Sequence, residues 1–540
     1  MLRRRHRLVL AAAALAAALA CRGGRRAPPP ERFVPADAAT AIVLPDAGRA
    51  ARELAALHDT VAGFPGTAEL ASLRGTLATQ LGFDPLDPGA LQEAGFDPKR
   101  GAALASIDRT GPRGKEAARR AIVVLPLRDP PKVQALLERL ARDRMGATER
   151  VAEPHGATSV FVLRVPGAAS ASLAYAIVDG SALLSTGGAA PAAVAEAAAL
   201  PPASSLAEAP AWGAARRALG DGLSVIWWAP AGSPLLDGLW AVKDGLAVGI
   251  AAAPGRLVAR GAVLLAGREP SFRALAADGR GADAVARLAP DAQLAARWDG
   301  DFAALGQKVA PMFPAAERAR LAARGIDLER DVFGVLAPGG ALAASLAPGL
   351  DLSGLTSAAA RADPLRAVQF EAVLPVKDPA AAEAVSARLA GAGAPRGKRA
   401  PAPAQDGVHR VRTASGELAW RVDAAARRIV AAGGAPGRLD ALEARLAGGE
   451  GFRAPTTDAQ GALSGGLGGA VLVPPRIVAA VRAMPEEAFG TGPSGFVMRS
   501  LVDRFLEPAS RISALSLEAH LAEGALVLAL EVEAAPGESR

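Results

Sequence analysis

The chain has 540 residues, one cysteine, one tyrosine and no asparagine, and its charge is +7. That charge suggests an anionic partner, but seven arginines (Arg3, Arg4, Arg5, Arg7, Arg22, Arg25 and Arg26) precede the first acid, Glu31, and without them 54 basic residues face 54 acids. The body is therefore neutral, shows no basic stripe interleaved with aromatics, and reads as having no nucleic-acid partner; one cysteine also excludes an internal disulfide.

At the N-terminus the arginines lead into an apolar run, Leu8 to Leu19, closed by Ala18-Leu19-Ala20-Cys21. A twelve-residue helix is about 18 Å long, short of the roughly 30 Å of bilayer hydrocarbon, so residues 1–20 read as a signal peptide and not as a span. The segment resembles a bacterial lipoprotein signal, which implies lipidation of Cys21 and membrane attachment through that lipid. Ala18-x-Ala20 also satisfies an ordinary signal-peptidase site, and the order of Ala18 and Leu19 departs from the lipoprotein pattern. The sole cysteine nevertheless falls where lipidation needs a thiol. Arg22, in place of an aspartate after it, points by the same resemblance to the outer membrane of the cell envelope. Residues 21–33 form a Gly/Pro-rich tether.

The body repeats itself at a period of about 250 residues, too long for a solenoid. Val124-Leu125-Pro126-Leu127-Arg128-Asp129-Pro130 is echoed by Val373-Leu374-Pro375-Val376-Lys377-Asp378-Pro379, and the match runs on to Ala141 and Ala390. Asp37-Ala38 with Asp291-Ala292, Gly95–Arg100 with Gly325–Arg330, and Leu173-Ala174-Tyr175 with Leu418-Ala419-Trp420 follow in the same order. These pairs predict two tandem copies, 34–287 and 288–536. In each, a strand (Ala121 to Leu127) runs into a helix capped by Asp129-Pro130, and strands at Ser159 to Val165, Leu173 to Val178 and Ala182 to Ser185 form a meander. Each copy ends in a hairpin, the second with Leu515 and Leu517 alternating with Ser516 and Glu518. The expected fold class is α+β, an antiparallel sheet with helices packed on one face. Gly187 to Ala211 and Pro395 to Gly407 read as joints. The body also resembles uncharacterised exported bacterial proteins with a domain of unknown function, which implies no activity.

Chemistry is scarce. His58, His155, His409 and His520 are isolated and show no zinc-ligand spacing; His155 and His409 read as loop residues and His520 as exposed. Gly490-Thr491-Gly492-Pro493-Ser494-Gly495 follows a helix, so it reads as a loop before the next helix and not as a dinucleotide site. Charge pairs such as Glu138 with Arg139 and Glu383 with Arg388 read as solvated helix faces. No cofactor, metal or catalytic residue is expected, and oligomeric state is open. Four of six tryptophans cluster at Trp212, Trp227, Trp228 and Trp240. Adjacent residues of a strand point to opposite faces, so Trp227 or Trp228 leaves the main core; with Trp240 they are candidates for an apolar ligand site or interface. The expected function is noncatalytic binding or scaffolding in the envelope. Two alternatives stay open, a carrier of lipid or another apolar ligand and a hydrolase of scattered residues.

Overall fold

The computed structural model describes residues 27–61, 68–107, 120–236, 242, 244–266, 281–352, 363–393, 407–490, 492–522 and 524–535. Two compact units emerge: one of residues up to Arg52, Leu77–Gly213 and Trp227–Leu235, the other of Glu53–Thr76, Ala214–Ile226 and Leu236 onward. The fold is α+β, with antiparallel strands and many helices.

In the first unit the strands are β1 (Thr40–Leu44), β2 (Ala102–Ser106), β3 (Ala121–Pro126), β4 (Glu149–His155), β5 (Thr158–Arg164), β6 (Leu173–Val178), β7 (Ser181–Thr186) and β8 (Val225–Pro230). They pair in the order β4-β5-β6-β7-β3-β2-β1-β8. Asp129 caps helix α1 (Pro130–Met145) by accepting from the Lys132 amide, proline occupies the first turn, and Gly146 ends the helix in the left-handed region at φ 66°. The strand-to-helix reading of Val124–Ala141 holds. The Ala-rich stretch read as a joint contains helix α2 (Ala190–Ala199), whose Ala190, Ala193, Val194 and Ala197 are buried on the sheet. Small side chains let that helix approach closely, which composition alone reads as a linker. Both faces of β6 are covered: α1 packs on Leu173 and Tyr175, while Ala174 and Ala176 point the other way and are buried too. Helices are thus not confined to one face, because Leu173-Ala174-Tyr175-Ala176 is apolar at both parities. Edge strand β4, with Glu149, Arg150, Glu153 and Pro154, is missed by the sequence pattern because it carries so few apolar residues.

The second unit holds β9 (Gly245–Ala253), β10 (Arg256–Leu264), β11 (Leu294–Trp298), β12 (Gly340–Leu346), β13 (Val368–Pro375), β14 (Val408–Arg412), β15 (Glu417–Asp423), β16 (Arg428–Gly434), β17 (Gly468–Leu472), β18 (Ile512–Ala522) and β19 (Ala525–Ala534). Their order is β9-β10-β19-β18-β17-β11-β12-β13-β16-β15-β14, antiparallel throughout. The run β17-β11-β12-β13-β16-β15-β14 visits positions in the same chain order as β8-β1-β2-β3-β7-β6-β5 of the first unit. Val124 pairs with Leu183 and Val373 with Val430, and Tyr175 and Trp420 each sit one step further out, opposite Leu184 and Ala431. The proposed pairing of Gly95–Arg100 with Gly325–Arg330 does not hold in space. Phe96 bridges Leu127, but the residue bridging Val376 is Leu336. Two glycine turns followed by a buried apolar residue made the wrong segments look alike.

One face of this sheet is covered by α3 (Gly281–Val285), α6 (Arg438–Leu446) and α7 (Thr457–Ala462), with Leu439, Leu442, Ala459 and Ala462 packed against Ala295, Ala343, Val373, Val430 and Val471. The intervening helices α4 (Phe302–Val309) and α5 (Pro379–Gly393) pack on the opposite face near its margins, and α8 (Pro474–Arg482) and α9 (Gly492–Ser510) follow. Glu371 of β13 is buried within the covered face, 2.6 Å from Arg445 and 3.4 Å from Arg438 of α6, and accepts from the Ala289 amide at 2.8 Å. In the first unit the same ladder position holds Ile122. Removing one partner of a buried ion cluster strands the others, so Glu371→Ala is expected to cost about 3 kcal/mol. Replacing Glu371, Arg438 and Arg445 together by apolar residues should cost less, as read from urea unfolding midpoints.

Candidate functional site

Strand register decides which side chains share a face, and in the second unit it assembles an unusual one. Opposite residues run Ile250, Ala259, Leu530, Leu517, Ala470, Ala296, Leu342, Ala372, Ala431, Trp420 and His409 across all eleven strands. A parallel row runs Ala252, Leu257, Val532, Leu515, Leu472, Leu294, Ala344, Phe370, Gly433, Leu418 and Val411. Of these twenty-two positions, only His409 is polar.

The alternate positions carry the charges, among them Glu531 paired with Arg256, Arg297 paired with Asp299, and Glu371 with its two arginines. The helical layer covers that charged face and leaves the middle of the apolar one open. Leu342, Leu517, Leu528 and Leu530 remain 39 to 44 % exposed, while Ala514 and Ser516 on the other face are buried. The alternation in the last hairpin was legible, but the leucines are the open side. The ionic clusters explain the inversion, since charges on a strand tolerate burial only where partners are in reach, from a neighbouring strand for Glu531 and from α6 for Glu371. His520, expected on an exposed face, is half-buried and stands 3.7 Å from Glu518.

From β9 to β12 the open face spans seven strands, about 29 Å at 4.8 Å per strand. Ladder bonds to both neighbours occupy the backbone of its inner strands, so the face presents hydrocarbon alone. At one end Trp298 lies over Gly468, where a Cβ would come within 2.9 Å of the ring. Along one margin Leu305 of α4 packs with Val263, Leu265, Leu521 and Leu526. At the far end α5 covers Leu374, Val422 and Ile429 through Ala382.

Under α5 lies the one polar residue of the row. His409, read from sequence as a loop residue, is in β14, buried, stacked on Trp420 with centroids 5.4 Å apart, and 2.8 Å from Glu383 of α5. The first unit has a counterpart at the same ladder positions. Phe161 stacks on Tyr175 at 5.1 Å, and the Tyr175 hydroxyl donates to Glu138 of α1 at 3.0 Å. Arg150 also pairs with Glu138 at 3.0 Å and covers the Phe161 ring. Burial, then the bond to Glu138, pushes the Tyr175 hydroxyl well above its ordinary pKa, so it stays a neutral donor. Glu138 and Glu383, expected on solvated faces, each tie a helix to the ring pair beneath it. Nothing in periodicity marks them; the signal was the matched Tyr175 and Trp420.

Trp228 is buried and meets Trp212 edge-on at 5.9 Å, while Trp227 points to the other face of β8 and is half-buried. Trp240 and Cys21 lie outside the described residues. Among the described residues no three His, Cys, Asp or Glu side chains converge to hold a metal. Each described histidine has a carboxylate within 3.8 Å: Asp59 for His58, Glu153 for His155, Glu383 for His409 and Glu518 for His520. No described helix is long and apolar enough to cross a membrane.

No protein-family model and no curated protein matches the chain. Two crystal structures of TP0453, forms I and III, are similar at 9 % and 8 % identity, each with a TM-score of 0.24 over 44 % of this chain and 80 % and 79 % of theirs. A likeness that slight carries no argument, and the functional reading stands on the residues above.

Leu530 is 41 % exposed, so Leu530→Asp should cost only about 1–2 kcal/mol and leave the protein folded. Val471→Asp, one strand position into the covered face, should unfold the protein. Circular dichroism during urea titration distinguishes the two.

Proposed function

We propose that the chain is a noncatalytic, lipid-anchored envelope protein that binds an apolar ligand along the open face that runs across the sheet from β9 to β12. The observation that supports this reading is the apolar face crossing eleven strands, with Leu342, Leu517, Leu528 and Leu530 left uncovered. Contiguous apolar surface of this kind marks interaction sites, and burying one leucine is worth about 1.5–3 kcal/mol. With hydrocarbon and no free hydrogen-bonding groups to offer, the face suits an acyl chain better than a polar substrate. Scaffolding of another envelope protein is the weaker reading, since interfaces between proteins carry polar rims and hydrogen bonds.

Protein extracted from membranes should carry bound lipid in native mass spectrometry, and a fluorescent acyl probe should bind the delipidated protein. Leu517→Asp or Leu530→Asp should weaken that binding at least about tenfold, the equivalent of one lost leucine contact. Absence of co-purified lipid together with no probe binding would sink the carrier reading.

Attachment through Cys21 is a separate element of the proposal. It is supported by the position of the only cysteine directly after the apolar run. One acyl chain holds a protein only marginally, whereas the two or three of a mature lipoprotein hold it stably. Labelled palmitate should therefore enter the wild type, and Cys21→Ser should abolish the label and release most of the protein from the membrane fraction. Failure of palmitate to enter the wild type would refute the anchor.

A further inference from the structure

We propose that α9 is an interfacial helix that docks on a bilayer surface, seating its exposed apolar stripe among the acyl chains. The inference rests on the anchor proposed above, which keeps the protein beside a membrane. Within α9, Val502, Leu506 and Ala509 face inward and pack with Val478, Val481, Ala488 and Phe489. Val497, Leu501 and Phe505 recur every fourth residue on another face and are 64 %, 48 % and 50 % exposed, and Phe496 beside them is 76 % exposed. Large side chains at that spacing form a stripe about two turns long that no other described part of the chain covers.

Three observations favour a bilayer as the occupant. The helix has 19 residues, about 28 Å, yet it does not qualify as a span, because Arg499, Asp503, Arg504 and Glu507 interrupt it. A helix with one buried face, an apolar outer stripe and charges between them lies along an interface. The helix is formally neutral, with Arg499 and Arg504 against Asp503 and Glu507, so its charge does not oppose a headgroup layer, and one arginine is left for a headgroup phosphate. Asp503 is held by Arg499 at 3.3 Å and Glu507 by Arg511 at 3.0 Å, which leaves Arg504, beside Phe505, with no ion pair among the described residues. Finally, Cys21 lies six residues before Ala27, the first described residue, so a lipid there is within about 21 Å of the folded chain. An anchored protein meets the bilayer at high effective concentration, and even a weak second contact is then occupied.

Because Cys21→Ser leaves the chain without cysteine, a single reporter can be placed at will. In that background Leu501→Cys would carry an environment-sensitive fluorophore, with Ala425→Cys in the β15–β16 turn as the control site. Vesicles of phosphatidylethanolamine and phosphatidylglycerol should raise emission at position 501 several-fold and blue-shift it, with no change at 425. With lipid in large excess over the membrane-fraction assay, part of the Cys21→Ser protein should float with the vesicles, and Val497→Asp with Leu501→Asp should abolish that flotation without altering the melting curve.

A silent label at position 501 in the presence of vesicles would overturn the proposal. So would a signal that rises with protein concentration alone and tracks a dimer in light scattering, since a second copy would then cover the stripe. Palmitate incorporation without flotation of Cys21→Ser would leave the anchor standing and remove α9 docking. Flotation without palmitate incorporation would do the reverse.

Discussion

The convergence of Arg438 and Arg445 on Glu371 is the interaction from which much of the second unit follows. A carboxylate at a central strand position must be either solvated or paired, and α6 supplies the pair. Once that helix is committed to the charged face, Leu439 and Leu442 bring the core with them, and α3 and α7 complete the same layer. The middle of the apolar face, around Leu342, Leu517, Leu528 and Leu530, is then left open, with α4 covering only a margin of it. An open hydrocarbon face is thus the by-product of placing ions beneath helices, and it is the feature to which the proposed binding function attaches.

Much of the framework was legible in the sequence because local rules set it. Asp129 and Pro130 start α1, Gly146 ends it, and the spacing of Leu515, Leu517, Leu526, Leu528 and Leu530 forms the last hairpin. Matching Tyr175 with Trp420 found positions that coincide in the ladders. What could not be read was which parity would be covered, since Ser516 and Leu517 alternate identically whichever face a helix lies on. That choice is made by residues distant in sequence, Arg445 and Glu371 being 74 apart.

The same limit hid the ring pairs. His409 stands two residues after Gly407 and looks like part of a turn, yet its neighbours in space are Trp420 and Glu383, which arrive from a strand and a helix. Likewise, α2 is nearly pure alanine, which weakens any periodic signal, while its fit on β6 depends on having nothing larger than valine at the contact. In both cases packing decides, and packing is not local.

The composition of β4 also limits one way in which copies of the chain could associate. With Pro154 unable to donate and Glu149, Arg150 and Glu153 along the strand, that edge resists templating another strand, so the ladder does not lengthen from that side. Growth by strand addition is therefore disfavoured at that edge, and the exposed leucine face is left as the stickier surface. A mild detergent, which wets such a face without touching the backbone ladder, is the natural agent for keeping the protein dispersed.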